Sequence, residues 1–176
     1  MKLFNKKGDE GYTSMLFGQR IRKSDPRPET YGTLDEANST LGFARALSKN
    51  NRVKEIIYRV QEMLFIMGAE LATDPKDYIK LNKKIGEDDV QELQNIIEKI
   101  EDKISLPKSF IIPGASLVSA SLDMARTVIR RGERRAVILK DNNLLLNDRI
   151  LAYLNRTADL LFILARYEES LNGESI

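Results

Sequence analysis

The chain of 176 residues has no cysteine and no histidine. The first absence excludes disulfides and thiolate chemistry. The second excludes imidazole metal ligands, imidazole general bases and the Glu-x-x-His arrangement of di-iron helical bundles, and with them the nucleophilic triads. No apolar run approaches the roughly 18 residues needed to span a bilayer, and Met1-Lys2-Leu3-Phe4-Asn5-Lys6-Lys7 has no hydrophobic core of a signal peptide. A soluble cytoplasmic protein is the expectation. Charge of one sign is also lacking: 28 basic and 26 acidic residues leave a net +2, so any basic patch is local and no large field favours nucleic acid. The length suits one domain, residues 1–176, with room for a real core.

What is present is helical periodicity. Residues 1–32 hold four of the ten glycines together with Pro26 and Pro28, and read as a loop or arm. From Thr33 the pattern turns helical: Leu34, Ala37, Leu41 and Ala44 recur at steps of three and four, and Thr33 with Glu36 has the form of a capping box, predicting a first helix that ends near Lys49. Val53, Ile57, Val60, Leu64, Met67 and Leu71 mark a second, stopped by Asp74-Pro75. Val90, Leu93, Ile97, Ile100 and Ile104 mark a third and more exposed helix, closed by Pro107. A fourth starts near Ser116 after Pro113-Gly114, and a fifth runs from about Asn147 to Leu171. No strand is convincing. The fold class is therefore all-α: a five-helix subunit built on an antiparallel four-helix bundle with one accessory helix.

The fourth helix carries the densest chemistry. Arg126, Arg130, Arg131, Arg134 and Arg135 crowd around Glu133, and at roughly 100° per residue Arg126, Arg130, Glu133 and Arg134 share one face, opposite Leu117, Ala120, Met124 and Val128. Such a stripe is either a solvated surface or the wall of a polyanion site, with Glu133 placed to orient a guanidinium. The segment Asn5-Lys6-Lys7-Gly8-Asp9-Glu10-Gly11-Tyr12-Thr13-Ser14 offers lysines, hydroxyls and close backbone approach to phosphate oxygens, though it is no Walker loop and equally suits a plain surface loop. Asp35 and Glu36 fall in the first turn of the predicted first helix, where dipole complementarity explains them as well as function does. In the fifth helix Asn155 and Asp159 border the apolar positions Leu151, Leu154, Ala158 and Leu161 and require partners.

Four segments in order, GDEGYTSMLFG, YGTLDEANSTLG, FIIPGAS leading into ARTVIRRGERR, and YLNRTADLLFILAR, resemble the ATP:cob(I)alamin adenosyltransferases of the propanediol-utilisation type. The resemblance runs from about Phe4 to Arg166. It implies a cobalamin adenosyltransferase-like, ferritin-like bundle assembled as a homotrimer, with active sites between neighbouring subunits and residues 1–32 acting as a nucleotide-binding arm. On matching positions the ATP contacts would be Asn5, Lys6, Lys7, Gly8, Thr13, Ser14 and Lys23 on one subunit, then Arg130, Arg131, Gly132, Glu133, Arg134 and Asn155 on the next. Asp35 and Arg126 would form a supporting salt bridge across the interface, and Phe110 would bind cobalamin by closing off the lower face of the corrin ring. Asp35, Phe110, Arg126 and Arg130 are thus the implied catalytic group, with no protein metal site. The chain departs from the family pattern at Asn5 and Lys7, where threonine is usual, at Ala115 for glycine and at Gly132 for alanine. A glycine inside a helix costs about 1 kcal/mol relative to alanine, so Gly132 implies close packing or a tolerated weakness.

The implied reaction is attack of Co(I) on the 5′ carbon of ATP, releasing tripolyphosphate and forming adenosylcobalamin, with Mg²⁺ on the phosphates. A nucleophile of that strength needs no general base, which agrees with a chain lacking histidine. A reductase and an adenosylcobalamin-dependent enzyme are implied as partners, and neither nucleic acid nor membrane. Two readings from other classes compete: a helical nucleic-acid-binding module using the arginine face, and a purely structural helical oligomer.

Overall fold

The computed structural model describes residues 6–106, 108–171 and 173. Five helices form the body: α1 (Pro26–Leu47), α2 (Asn51–Leu71), α3 (Glu87–Glu101), α4 (Leu117–Asp141) and α5 (Arg149–Leu171). A short 3₁₀ turn, Pro75–Lys80, lies between α2 and α3. α1, α2, α4 and α5 make the four-helix core, and α3 packs mainly against α5 as the accessory, with an Arg59–Glu92 ion pair to α2 at 3.3 Å. Contacts such as Glu29 with Arg135 and Asp123 with Arg166 set α1 antiparallel to α4 and α4 antiparallel to α5. The core is a single apolar cluster that includes Leu34, Leu41, Ile57, Met67, Leu122, Ile129, Leu154 and Leu161.

Two parts of the predicted architecture are corrected. The helix expected from Thr33 begins at Pro26, with Asp25 as its cap, accepting from the Arg27 amide at 2.9 Å. Proline at the start of a helix removes only an N–H that has no intrahelical partner, so Pro26 and Pro28 open this helix where they would break an interior. Thr33 is then interior, and its hydroxyl donates back to the Glu29 carbonyl at 2.7 Å where a capping box had been expected. Asp35 and Glu36 likewise leave the first turn and lose the helix-dipole explanation.

The second correction is a hairpin inside the predicted arm. β1 (Tyr12–Ser14) pairs antiparallel with β2 (Arg20–Arg22), Tyr12 opposite Arg22 and Ser14 opposite Arg20. Three-residue strands carry too little alternation to be seen in sequence. The Leu16 amide donates to the Ala72 carbonyl at 2.8 Å, docking the hairpin on the end of α2.

On α4 the buried stripe is Val118, Leu122, Ala125, Ile129, Gly132, Ala136 and Leu139. The predicted apolar half lies beside it: Leu117 and Met124 are 74% and 62% exposed. That second row continues into Arg131 and Arg135, so only the first can serve as a core stripe along the whole helix. Gly132 sits where α1 comes closest; a Cβ there would lie 2.7 Å from Leu34 Cδ2. Close packing is thus the reason for glycine.

Two predictions follow from these helices. Gly68→Ala in α2, with nothing within 4 Å of the added methyl, should gain about 1 kcal/mol in urea unfolding, whereas Gly132→Ala should gain nothing because overpacking opposes its helix preference. The Arg27 guanidinium holds the Asp25 carboxyl below its ordinary 3.8, so its stabilisation is present above that value and is lost as pH falls through the lower folded-state value. Asp25→Ala should therefore cost about 1 kcal/mol near neutrality, with the difference from wild type vanishing in acid.

Candidate active site

The hairpin gathers the amino-terminal candidates. Lys6 adopts a left-handed backbone (φ 56°), and Gly8 lies so close to Lys23 that an added Cβ would be 3.1 Å from the ammonium nitrogen. Arg20 bridges the same group, donating to the Lys7 carbonyl at 2.5 Å and to Ser14 Oγ at 3.2 Å. Thr13 hydrogen-bonds Tyr31 at the start of α1, where burial pushes the Tyr31 phenol up. Lys6, Lys7, Gly8, Thr13, Ser14 and Lys23 therefore share one small element. Asn5 lies outside the described residues.

α4 divides its arginines by partner. Arg131 pairs with Glu36 and Arg135 with Glu29 at 2.5 Å, both across the seam to α1. Arg126 donates from Nε to Asp123 at 3.1 Å. Arg130 and Arg134 are exposed and have no hydrogen bond or ion pair among the described residues. Glu133 accepts from Asn155 Nδ2 at 3.2 Å, joining α4 to α5 beside them. This separates the arginine group: Arg131, expected at the nucleotide, is neutralised on the α1 side, and Arg135 is an interhelix bridge. Gly132 faces Leu34 rather than the unpaired guanidiniums. Asp159 finds its partner on its own helix, Arg156, at 2.9 Å.

Behind the arginines lies an ion cluster that sequence reasoning missed. Arg166, with no exposed surface, donates from Nη2 to Asp123 Oδ2 at 2.8 Å and to Glu169 Oε1 at 2.8 Å, while its Nε lies 2.7 Å from Glu169 Oε2. The Phe162 ring lies beneath it, 5.4 Å from the guanidinium carbon. A signal existed: Arg166 follows the apolar run Leu160-Leu161-Phe162-Ile163-Leu164-Ala165, where a cation requires buried carboxylates.

A cleft of about 640 Å³ opens between α3, α4 and α5, lined among others by Gln94, Leu106, Arg126, Arg130, Asp159 and Phe162. Its chemistry is mixed: the Arg126 and Arg130 guanidiniums on the α4 wall, with Arg156, apolar side chains and carboxylates on the others. Phe110, four residues beyond Leu106, is fully exposed on the loop before α4, with Ile112 beside it in sequence. Asp35 is exposed on α1 with no partner among the described residues, and a single chain does not bring it to Arg126. What the fold assembles is therefore two half-sites, a cationic hairpin and an α4–α5 wall.

A family model described as cobalamin adenosyltransferase matches residues 3–168. A corrinoid adenosyltransferase from Citrobacter freundii is 41% identical over 169 residues, spanning 96% of each chain. One from Bacillus subtilis is 37% identical over 179 residues, covering 98% of this chain and 89% of that one. Among solved structures, a phenylalanine-to-alanine variant of a PduO-type ATP:corrinoid adenosyltransferase from Lactobacillus reuteri, complexed with cobalamin and ATP, superposes with a TM-score of 0.90 at 31% identity, covering 99% of this chain and 97% of that chain.

The buried cluster yields a stability prediction. Arg166→Met, which strands Asp123 and Glu169 without their cation, should lower the unfolding free energy by roughly 3–5 kcal/mol in urea titrations. Replacing Asp123 and Glu169 by leucine in the same chain should restore most of it; a triple variant no more stable than the single one would trace the loss to packing instead.

Proposed function

The chain belongs to the cobalamin adenosyltransferase family, and on that premise we propose that it transfers the 5′-deoxyadenosyl group of ATP to the cobalt of cob(I)alamin, giving adenosylcobalamin and tripolyphosphate. The observation that carries the site assignment is that two guanidiniums, Arg130 and Arg134, have no partner among the described residues on a helix whose other arginines are neutralised by Glu29, Glu36 and Asp123. Cations left without partners beside a cleft are suited to an anion brought from outside. The same pairing counts against nucleic acid, since the remaining cationic strip is too narrow to track a phosphate backbone.

ATP would lie between the two half-sites, its phosphates held by Lys6, Lys7, Gly8, Thr13, Ser14 and Lys23 of one subunit and by Arg130, Arg134 and Asn155 of its neighbour. A homotrimer with sites between subunits is the arrangement this requires. The exposed Phe110 and Ile112 on the loop before the arginine helix support a subunit contact there. Asp35, without a partner among the described residues, would meet Arg126 across that contact. Arg131 and Gly132 would support the site through the α1–α4 seam. Magnesium enters as part of the nucleotide substrate, held by the phosphate oxygens that these cations surround. The cell's cytoplasm is the proposed location; no helix among the described residues is long and apolar enough to cross a membrane.

In the reaction the Co(I) electron pair forms a bond to the 5′ carbon while the C–O bond breaks and its electrons leave with tripolyphosphate. The protein's task is alignment and charge. Arg130, Arg134 and the hairpin lysines would neutralise a leaving group that gains charge in the transition state, where donors already in place need no reorganisation. The corrin would occupy the cleft at Arg126 and Phe162, with Phe110 covering its lower face. An aromatic ring there offers no donor atom and excludes water, which favours a four-coordinate cobalt that is easier to reduce.

Anaerobic incubation with ATP, Mg²⁺ and chemically reduced cobalamin should develop the adenosylcobalamin spectrum and release tripolyphosphate; absence of both refutes the activity. Arg130→Ala should lower kcat/KM for ATP about a hundredfold or more with an unchanged circular dichroism spectrum. Phe110→His should slow adenosylation and show a five-coordinate cob(II)alamin signal, and wild-type rates alongside that signal would remove Phe110 from its role.

A further inference from the structure

We propose that Asp123 is a positioning residue for adenosyl transfer: anchored by the buried Arg166, it holds the Arg126 guanidinium at the wall of the cleft. The proposal rests on the cleft and its arginines being the active site.

Asp123 is 4% exposed, and its two carboxylate oxygens are used in different directions. Oδ2 accepts from Arg166 Nη2 at 2.8 Å, toward the core; Oδ1 accepts from Arg126 Nε at 3.1 Å, toward the cleft. Arg166 is held in this arrangement because Glu169 accepts from its Nη2, with the second Glu169 oxygen 2.7 Å from Nε, while Phe162 packs against its face. The orientation of the Asp123 carboxylate is therefore set from behind. An exposed ion pair one turn apart on a helix constrains little, but here one partner is fixed by burial. With Nε occupied, the terminal nitrogens of Arg126 are left for the cleft that it lines and for the Asp35 carboxylate proposed to reach it from the neighbouring subunit. Arg130, one turn on, has no such support among the described residues, so the two arginines differ in how firmly they are placed. Phe162 links the same parts a second time, since it packs on Arg166 and also lines the cleft.

The ion pairs of Asp123 among the described residues run to Arg126 and Arg166, not to Arg130 or Arg134, which would hold phosphate. Loss of its charge should therefore be felt on the corrin side and not on the nucleotide side. The test compares Asp123→Asn, Arg126→Gln and the double variant in the intact enzyme. Asp123→Asn should keep the wild-type oligomer size and circular dichroism spectrum. Its kcat/KM for cob(I)alamin should fall roughly ten- to hundredfold while the KM for ATP and the ATP-induced rise in melting temperature stay within about twofold of wild type. In the Arg126→Gln background the same change should cost no further turnover, since its only route to the reaction is already cut. Wild-type kinetics in Asp123→Asn, parallel loss of ATP and corrinoid function, or equal losses in both backgrounds would each overturn the proposal. If Arg126→Gln has no measurable turnover, the split between ATP and corrinoid decides alone. Should Asp123→Asn fail to fold, Asp123→Glu keeps the charge that Arg166 needs but shifts the carboxylate by one methylene, and the same split is expected. A wild-type protein that forms no adenosylcobalamin would bring down the functional reading and this proposal with it, a result no Asp123 variant can imitate.

Discussion

A guanidinium with no exposed surface, Arg166, is held by two buried carboxylates on two helices, and the α4–α5 wall is arranged around it. Removing three charges from water costs several kcal/mol for each ion, so such a cluster is weak as a source of stability but strong as a constraint. Any slide of α5 along α4 would separate Arg166 from Asp123 and leave both charges uncompensated. The register between these helices is set by that penalty, and the register in turn places Asn155 opposite Glu133 and Phe162 at the cleft. Hydrophobic contacts alone would tolerate a small displacement, because leucine and isoleucine rows interdigitate in more than one way.

The other side of α4 is governed by size. Gly132 and Ala136 let α1 approach until Leu34 fills the space a side chain would need, and at that separation Arg131 and Arg135 reach the α1 carboxylates Glu36 and Glu29. The consequence is electrostatic. A helix that carries five arginines ends with three of them paired inside the chain and two, Arg130 and Arg134, one turn apart and without a partner among the described residues. Pairing the others concentrates positive potential where a nucleotide's phosphates would lie and removes it from the rest of the surface. A near-neutral protein can in this way present a local polyanion site.

Such an arrangement suits a reaction in which the nucleophile is supplied by the substrate. No imidazole is present to move a proton, and none is required when a metal-centred electron pair attacks carbon and the leaving group departs as a phosphate anion. What remains for the protein is to hold two large ligands in line and to stabilise charge on one of them, which rigid helices do better than loops. The hairpin, docked through Leu16 on the end of α2, brings the remaining cations on a short and braced element.

Residue spacing alone determined the helices: the steps of three and four from Val53 to Leu71, the start of α4 near Ser116 and the extent of α5 appear where periodicity placed them, while the third helix, expected to run through Ile104 to Pro107, ends at Glu101. It also placed Arg130, Glu133 and Arg134 on one polar face of α4 and marked Asn155 on α5 as a group in need of a partner, because helical repeat and the need of buried-edge groups for partners are local properties. Three-residue strands and the proline-led start of α1 escaped, since each depends on docking or capping that periodicity does not record. Which of two adjacent apolar rows on α4 would face the core, and which arginines would be neutralised, were decided only when α1 and α5 packed against it. The reason is that charge compensation acts through space: Arg131 and Glu36, or Asp123 and Arg166, are distant in the chain and become partners only once the helices are in register.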